Sequence, residues 1–68
     1  MNVMVVFSRP LRTPESEEVK RRVLNLLKDP LINTSEEIEI ILSNLDKREE
    51  ERLRRLARRY GYEMEVIK

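Results

Sequence analysis

Two stretches of this chain are punctuated and charged as helices, and in both of them acid precedes base. The first reads Pro14-Glu15-Ser16-Glu17-Glu18-Val19-Lys20-Arg21-Arg22-Val23-Leu24-Asn25-Leu26-Leu27-Lys28. The second reads Asp46-Lys47-Arg48-Glu49-Glu50-Glu51-Arg52-Leu53-Arg54-Arg55-Leu56-Ala57-Arg58-Arg59-Tyr60, with Gly61 just beyond it. A helix is partially positive at its N-terminus and partially negative at its C-terminus, so this order stabilises both ends. The only glycine of the chain stands where a left-handed C-cap is wanted. Residues so consistently placed for helix stability leave few for chemistry.

The rest of the chain fits around these two segments. Val3-Met4-Val5-Val6-Phe7 is a continuous apolar run rich in β-branched residues, and it reads as a strand buried on both faces. Thr13 is placed to cap the first helix, with Pro14 at its first position. Val19, Val23, Leu26 and Leu27 make its apolar face, and Asp29-Pro30 ends it. Residues 31–35 read as a connection from which Leu31 and Ile32 pack onto the core. Residues 36–44 allow two readings. Ile38, Ile40 and Leu42 alternate with Glu37, Glu39 and Ile41 as in a half-buried strand. Ile38, Ile41, Leu42 and Leu45 also fit a helix, with Thr34-Ser35-Glu36-Glu37 as its capping box. Three isoleucines in four residues favour the strand. In the second helix Leu53, Leu56, Ala57 and Tyr60 form the buried stripe, and residues 62–67 alternate as a final strand.

The expected class is therefore α/β, in the order β-α-β-α-β, with a three-stranded parallel sheet and two amphipathic helices. Right-handed crossovers leave two layouts. In the strand order 1-2-3 both helices share one face, and Glu37, Glu39, Glu63 and Glu65 crowd the open one. In the order 2-1-3 the apolar first strand is central, the helices cover opposite faces, and each glutamate-bearing strand guards an edge. The second layout is preferred. Met4, Val6, Ile41 and Ile67 form a second apolar patch, exposed and in need of a partner if both helices lie on one face.

Size and composition narrow the function classes. Sixty-eight residues make a single α/β domain, residues 1–68. Forty per cent of the residues are charged, yet 14 basic against 13 acidic residues leave a net charge of +1, unlike a dedicated nucleic-acid binder. There is no cysteine for a disulfide and no histidine to serve as base or ligand. No apolar run approaches the roughly 20 residues that span a bilayer, and residues 1–7 lack the basic segment of a signal peptide. The expectation is a soluble, intracellular-type protein without cofactor or metal, not an enzyme, and a monomer or weak homodimer that needs no partner.

Two groups of residues are candidates for a site. At the C-terminal end of a parallel sheet, Arg9 and Arg12 with Ser8, Thr13, Ser43 and Asn44 would meet the N-terminus of the first helix, where an anion could bind. The loop lacks the glycines of a phosphate-binding motif, and Glu15, Glu17 and Glu18 compete for the helix end. On the second helix, Arg48, Arg52, Arg55 and Arg59 line one face away from the apolar stripe, a row that could lie along nucleic-acid phosphates. No aromatic residue is interleaved with it to stack a base, and Glu51 interrupts it. The competing reading is a solvated, salt-bridged helix face.

Pro10-Leu11-Arg12-Thr13-Pro14 before a helix, then residues 37–42, a second helix and Gly61-Tyr62-Glu63, resemble the small sulfur-carrier family over nearly the whole chain. That family carries a persulfide on a cysteine. Threonine stands at the cysteine position here, so the resemblance does not imply the activity. The Thr-Pro-Glu helix start, the runs Glu-Glu-Val-Lys-Arg-Arg and Glu-Arg-Leu-Arg-Arg-Leu-Ala-Arg-Arg, and the glycine cap feeding an alternating strand resemble computationally designed (de novo) α/β miniproteins more strongly. That resemblance implies a stable structural or scaffold domain with no specific biochemical activity. The alternative is a nucleic-acid or anion-binding module using the basic face of the second helix.

Overall fold

The computed structural model describes residues 2–8, 16–28, 30–34 and 37–68. Six elements follow one another: β1 (Val3–Ser8), α1 (Ser16–Leu26), β2 (Leu31–Thr34), β3 (Ile38–Leu42), α2 (Lys47–Arg59) and β4 (Glu63–Ile67). The four strands form one sheet in the order β2-β3-β1-β4. Every neighbouring pair is antiparallel. This β-α-β-β-α-β order is the split β-α-β, or ferredoxin-like, topology.

The three-stranded parallel sheet expected from the sequence is thereby overturned, and one element accounts for the error. Residues 31–34, read as a connection, form a fourth strand that pairs with β3, with Ile32 opposite Ile40 and Thr34 opposite Ile38. That hairpin reverses the chain before β3. β3 therefore runs against β1, with Val5 opposite Ile40, and β4 runs against β1 on its other side, with Val5 opposite Val66. β1 lies between the two glutamate-bearing strands, as the preferred layout required, but β3 is not an edge. Residues 38–42 are strand, so the rival helix is excluded.

The helices share one face of the sheet, contrary to the preferred layout. Val5, Phe7, Ile38, Ile40 and Leu42 alternate onto a single face and join Val19 and Val23 of α1 and Leu53, Leu56 and Ala57 of α2 in one core. Ile32, Met64 and Val66 pack against its margin from the two edge strands. The Phe7 and Tyr62 rings lie 5.8 Å apart within this layer.

α2 is closed at both ends by the signals its sequence carries. Asp46 accepts a hydrogen bond from the Glu49 backbone N–H at 2.7 Å, and Glu49 accepts one from the Asp46 N–H at 3.2 Å, a complete capping box. At the far end Gly61 adopts φ 77°. The Tyr62 N–H reaches the Ala57 carbonyl at 2.8 Å, and the Gly61 N–H reaches the Arg58 carbonyl at 3.2 Å. These two bonds are the Schellman pair, and they satisfy carbonyls the helix leaves open. α1 is shorter than its charge pattern suggests. It ends at Leu26 with no basic residue in its last turn. Its basic cluster therefore lies mid-helix.

Candidate functional site

The antiparallel sheet dismantles one of the two expected sites. Ser8 ends β1, whereas Ser43 follows the end of β3, where Val3 faces Leu42. Ser8 and Ser43, expected to converge on one anion, therefore lie at opposite ends of the sheet, about 17 Å apart at the rise of a strand. Arg9, Arg12 and Thr13 lie outside the described residues. With them lies the stretch from Pro10 to Pro14 that carries the sulfur-carrier resemblance.

The second candidate gains a partner. α1 and α2 pack side by side on the sheet, and their outer flanks enclose a groove of about 390 Å³. Arg52, Arg55 and Arg59 line it from α2, and Arg22 and Asn25 line it from α1. Leu26 and Leu56 complete the lining. Helix periodicity places Arg52, Arg55 and Arg59 on successive turns. Docking of α1 then brings a fourth guanidinium opposite them. Arg48, the remaining member of the expected row, is exposed on the first turn of α2 and is not part of the lining.

Among the described residues no carboxylate belongs to the lining. Arg22 has Glu18 of its own helix at 3.6 Å, an exposed pair of small net worth. The Arg59 guanidinium carbon stands 6.0 Å from the centre of the Tyr60 ring. Neither Arg52 nor Arg55 is ion-paired among the described residues. The acid-first pair Glu50–Arg54 forms at 3.2 Å but lies outside the lining. Glu51 does not neutralise Arg55 in the way its spacing suggests. A guanidinium keeps its charge at any physiological pH and presents five donors with no acceptor. The groove is therefore a concave, positive surface bordered by two leucines, on which Arg52 and Arg55 carry no ion pair among the described residues.

The open face of the sheet has the opposite character. Cross-strand register places Leu31, Ile41, Met4 and Ile67 in one row across all four strands. The next row is Asn33, Glu39, Val6 and Glu65. The Asn33 amide donates to Glu39 at 3.2 Å. Every charged residue in the described strands on this face is a glutamate, and no aromatic residue stands there to stack a base. Such a face repels phosphate and offers no stacking platform.

Among the described residues no group of three or more His, Cys, Asp or Glu is placed to hold a metal. No helix among them is long and apolar enough to cross a membrane. No protein-family model, curated protein or solved structure gives a significant match to the chain.

Proposed function

We propose that this protein is a binding module for phosphate-bearing polyanions, held in the groove between α1 and α2. The observation that carries the reading is the convergence of Arg22, Arg52, Arg55 and Arg59, from two helices, on a lining that contains no acid among the described residues. Arginine forks match the geometry of phosphate oxygens, and several of them along a groove bind by releasing counterions. Arg52 and Arg59 are separated by about 10 Å along the helix axis, enough to meet two successive phosphates. Four of the five polar side chains in the lining are arginines suited to phosphate, with Asn25 the other, so phosphate contact dominates and binding depends little on sequence.

Fluorescence anisotropy with a labelled duplex and a labelled single strand tests this at low salt. The expected result is binding whose logarithm falls with log salt at a slope of roughly −3, for three to four phosphate contacts. The triple change Arg52→Glu, Arg55→Glu and Arg59→Glu abolishes it. Arg48→Glu, outside the groove, weakens it only slightly. Failure of both probes to bind at low salt ends the proposal.

The second reading is a stable structural domain with no ligand. Its support is the completeness of the local signals, above all the capping box and the Schellman closure of α2. Thermal unfolding separates the two readings, because a ligand specific for the folded state raises the melting temperature. Millimolar inorganic polyphosphate raises it by several degrees in the first reading and leaves it unchanged in the second.

A further inference from the structure

The positive surface does not end at the groove between the helices. Arg22 and Asn25, which line that groove, also line a second depression of about 220 Å³ on α1, together with Glu18 and Arg21. Glu18, Arg21, Arg22 and Asn25 are three and four residues apart, the spacing that groups side chains on one helix face. Arg21, Arg22 and Asn25 are exposed. Glu17 stands four residues before Arg21, yet no ion pair holds Arg21 among the described residues. Glu18 reaches Arg22 at 3.6 Å, so the depression sets two guanidiniums against one carboxylate. An exposed pair of that length is weak and yields to a phosphate, which an arginine fork holds better.

Resting on the reading of the groove as a phosphate site, we infer that its ligand is a single nucleic-acid strand, which fills the groove and continues over Arg22 and Asn25 to set a further phosphate against Arg21. The placement of the arginines selects a single strand over a duplex. Arg52, Arg55 and Arg59 lie on the flank of α2 that is shared with α1. A major groove about 12 Å wide admits one helix. Packed helices stand about 8–10 Å apart, axis to axis, so two side by side are too broad to enter it together. A duplex therefore meets the arginines only from the rim. The backbone of a single strand is flexible enough to descend between the helices and then cross Arg22 onto the second depression.

The rest of the lining selects nucleic acid over a bare chain of phosphates. Leu26 and Leu56 offer carbon surface to sugars and bases, which inorganic polyphosphate lacks. Asn25, common to both depressions, presents a carbonyl acceptor beside its amide donors. A base edge has groups for both, whereas a chain of phosphate acceptors leaves the carbonyl to water. Glu18 is then a competitor built into the track, because the strand takes Arg22 from it.

Fluorescence anisotropy at low salt tests the inference with a labelled thymidine strand of roughly ten nucleotides, the same strand paired with its complement, and unlabelled inorganic polyphosphate as competitor. Circular dichroism is the control for folding. On charge alone the duplex, with its denser phosphates, would bind more tightly. The expected result is the reverse, with the single strand about tenfold tighter than the duplex. Polyphosphate of equal phosphate count should compete several-fold less well than unlabelled strand. Arg21→Gln should weaken the single strand several-fold and reduce the steepness of its salt dependence by about 0.7, the share of one phosphate contact. Arg48→Gln, an equal change of charge outside both depressions, should do neither. Glu18→Gln should tighten binding several-fold. A duplex bound as tightly as the strand, or polyphosphate competing equally with it, would overturn the choice of ligand. An Arg21→Gln variant that behaves like Arg48→Gln, or a Glu18→Gln variant that binds no better, would overturn the extended track. In all four cases, loss of binding in the triple Arg52, Arg55 and Arg59 variant would leave the groove standing as a phosphate site. Absence of binding by every probe would overturn the inference together with the reading it rests on.

Discussion

At the scale of single residues, Gly61 and Asp46 hold the most structure for their size. At φ 77° the Gly61 backbone lies in the left-handed region, where any Cβ meets the following carbonyl oxygen. Gly61→Ala is expected to destabilise the protein by about 1 kcal/mol. Asp46→Ala removes half of the capping box and should cost about 1 kcal/mol as well. In a domain of this length each loss lowers the melting temperature by about 4–8 °C. Calorimetry on the two variants checks both values. A neutral Gly61→Ala would show that α2 can close without a residue in the left-handed region. Both residues were legible in the sequence, because capping is a local interaction.

At the scale of elements, the limits of the sequence become clear at β2. Leu31-Ile32-Asn33-Thr34 is four residues long and follows Asp29-Pro30, so it carries almost no periodic signal of its own. Its identity as a strand depends on β3 being available to pair with it, which is a tertiary fact. Missing it inverted the direction of β3 and moved a helix to the wrong face. The β1 pattern misled for a related reason. Five consecutive apolar residues read as a strand covered on both sides, yet of these only Val5 and Phe7 belong to the helix-packed core. Val6 is nevertheless only 9% exposed, lying between Glu39 and Glu65, whose aliphatic stems can shield it. The two faces of β3 make the contrast testable with adjacent residues. Ile40 is fully buried on the core face, and Ile41 is half-buried on the open one. Ile40→Glu buries an unpaired charge and should cost about 4 kcal/mol. Ile41→Glu should cost less than about 1 kcal/mol. Urea unfolding at a concentration that keeps the chain monomeric measures both. Equal penalties would mean that the open face is covered. The arginine row divides in the same way. Arg52, Arg55 and Arg59 followed from helix periodicity, whereas Arg22 joins them only because α1 docks beside α2.

At the scale of the whole molecule, a net charge of +1 conceals a strong polarity. Four arginines converge on the groove of the helix side, whereas the charged residues in the described strands on the open sheet face are glutamates. Composition averages the two and suggests a neutral protein, which is why it argued against anion binding. Holding like charges together has an energetic consequence that does not depend on any ligand. Arg22, Arg52, Arg55 and Arg59 share one groove with no acid among the described residues of its lining, so they repel one another in the folded state. In the unfolded chain Arg22 lies far from the other three, and much of that repulsion is relieved. Removing one charge should therefore stabilise the fold while weakening the groove for anions, the common opposition between stability and function. Arg55 is the best choice, because it is exposed and unpaired among the described residues. Arg55→Gln keeps most of the side chain's length and helix propensity. It should raise the unfolding free energy by about 0.5 kcal/mol near 10 mM salt. The gain should disappear near 1 M salt, where the screening length falls to about 3 Å. Denaturation of both proteins in urea, an uncharged denaturant, at the two salt concentrations measures the difference. A loss of stability that persists at high salt would show that the Arg55 stem is held by packing. The groove would then be a by-product of helix docking and not a surface kept open for a ligand.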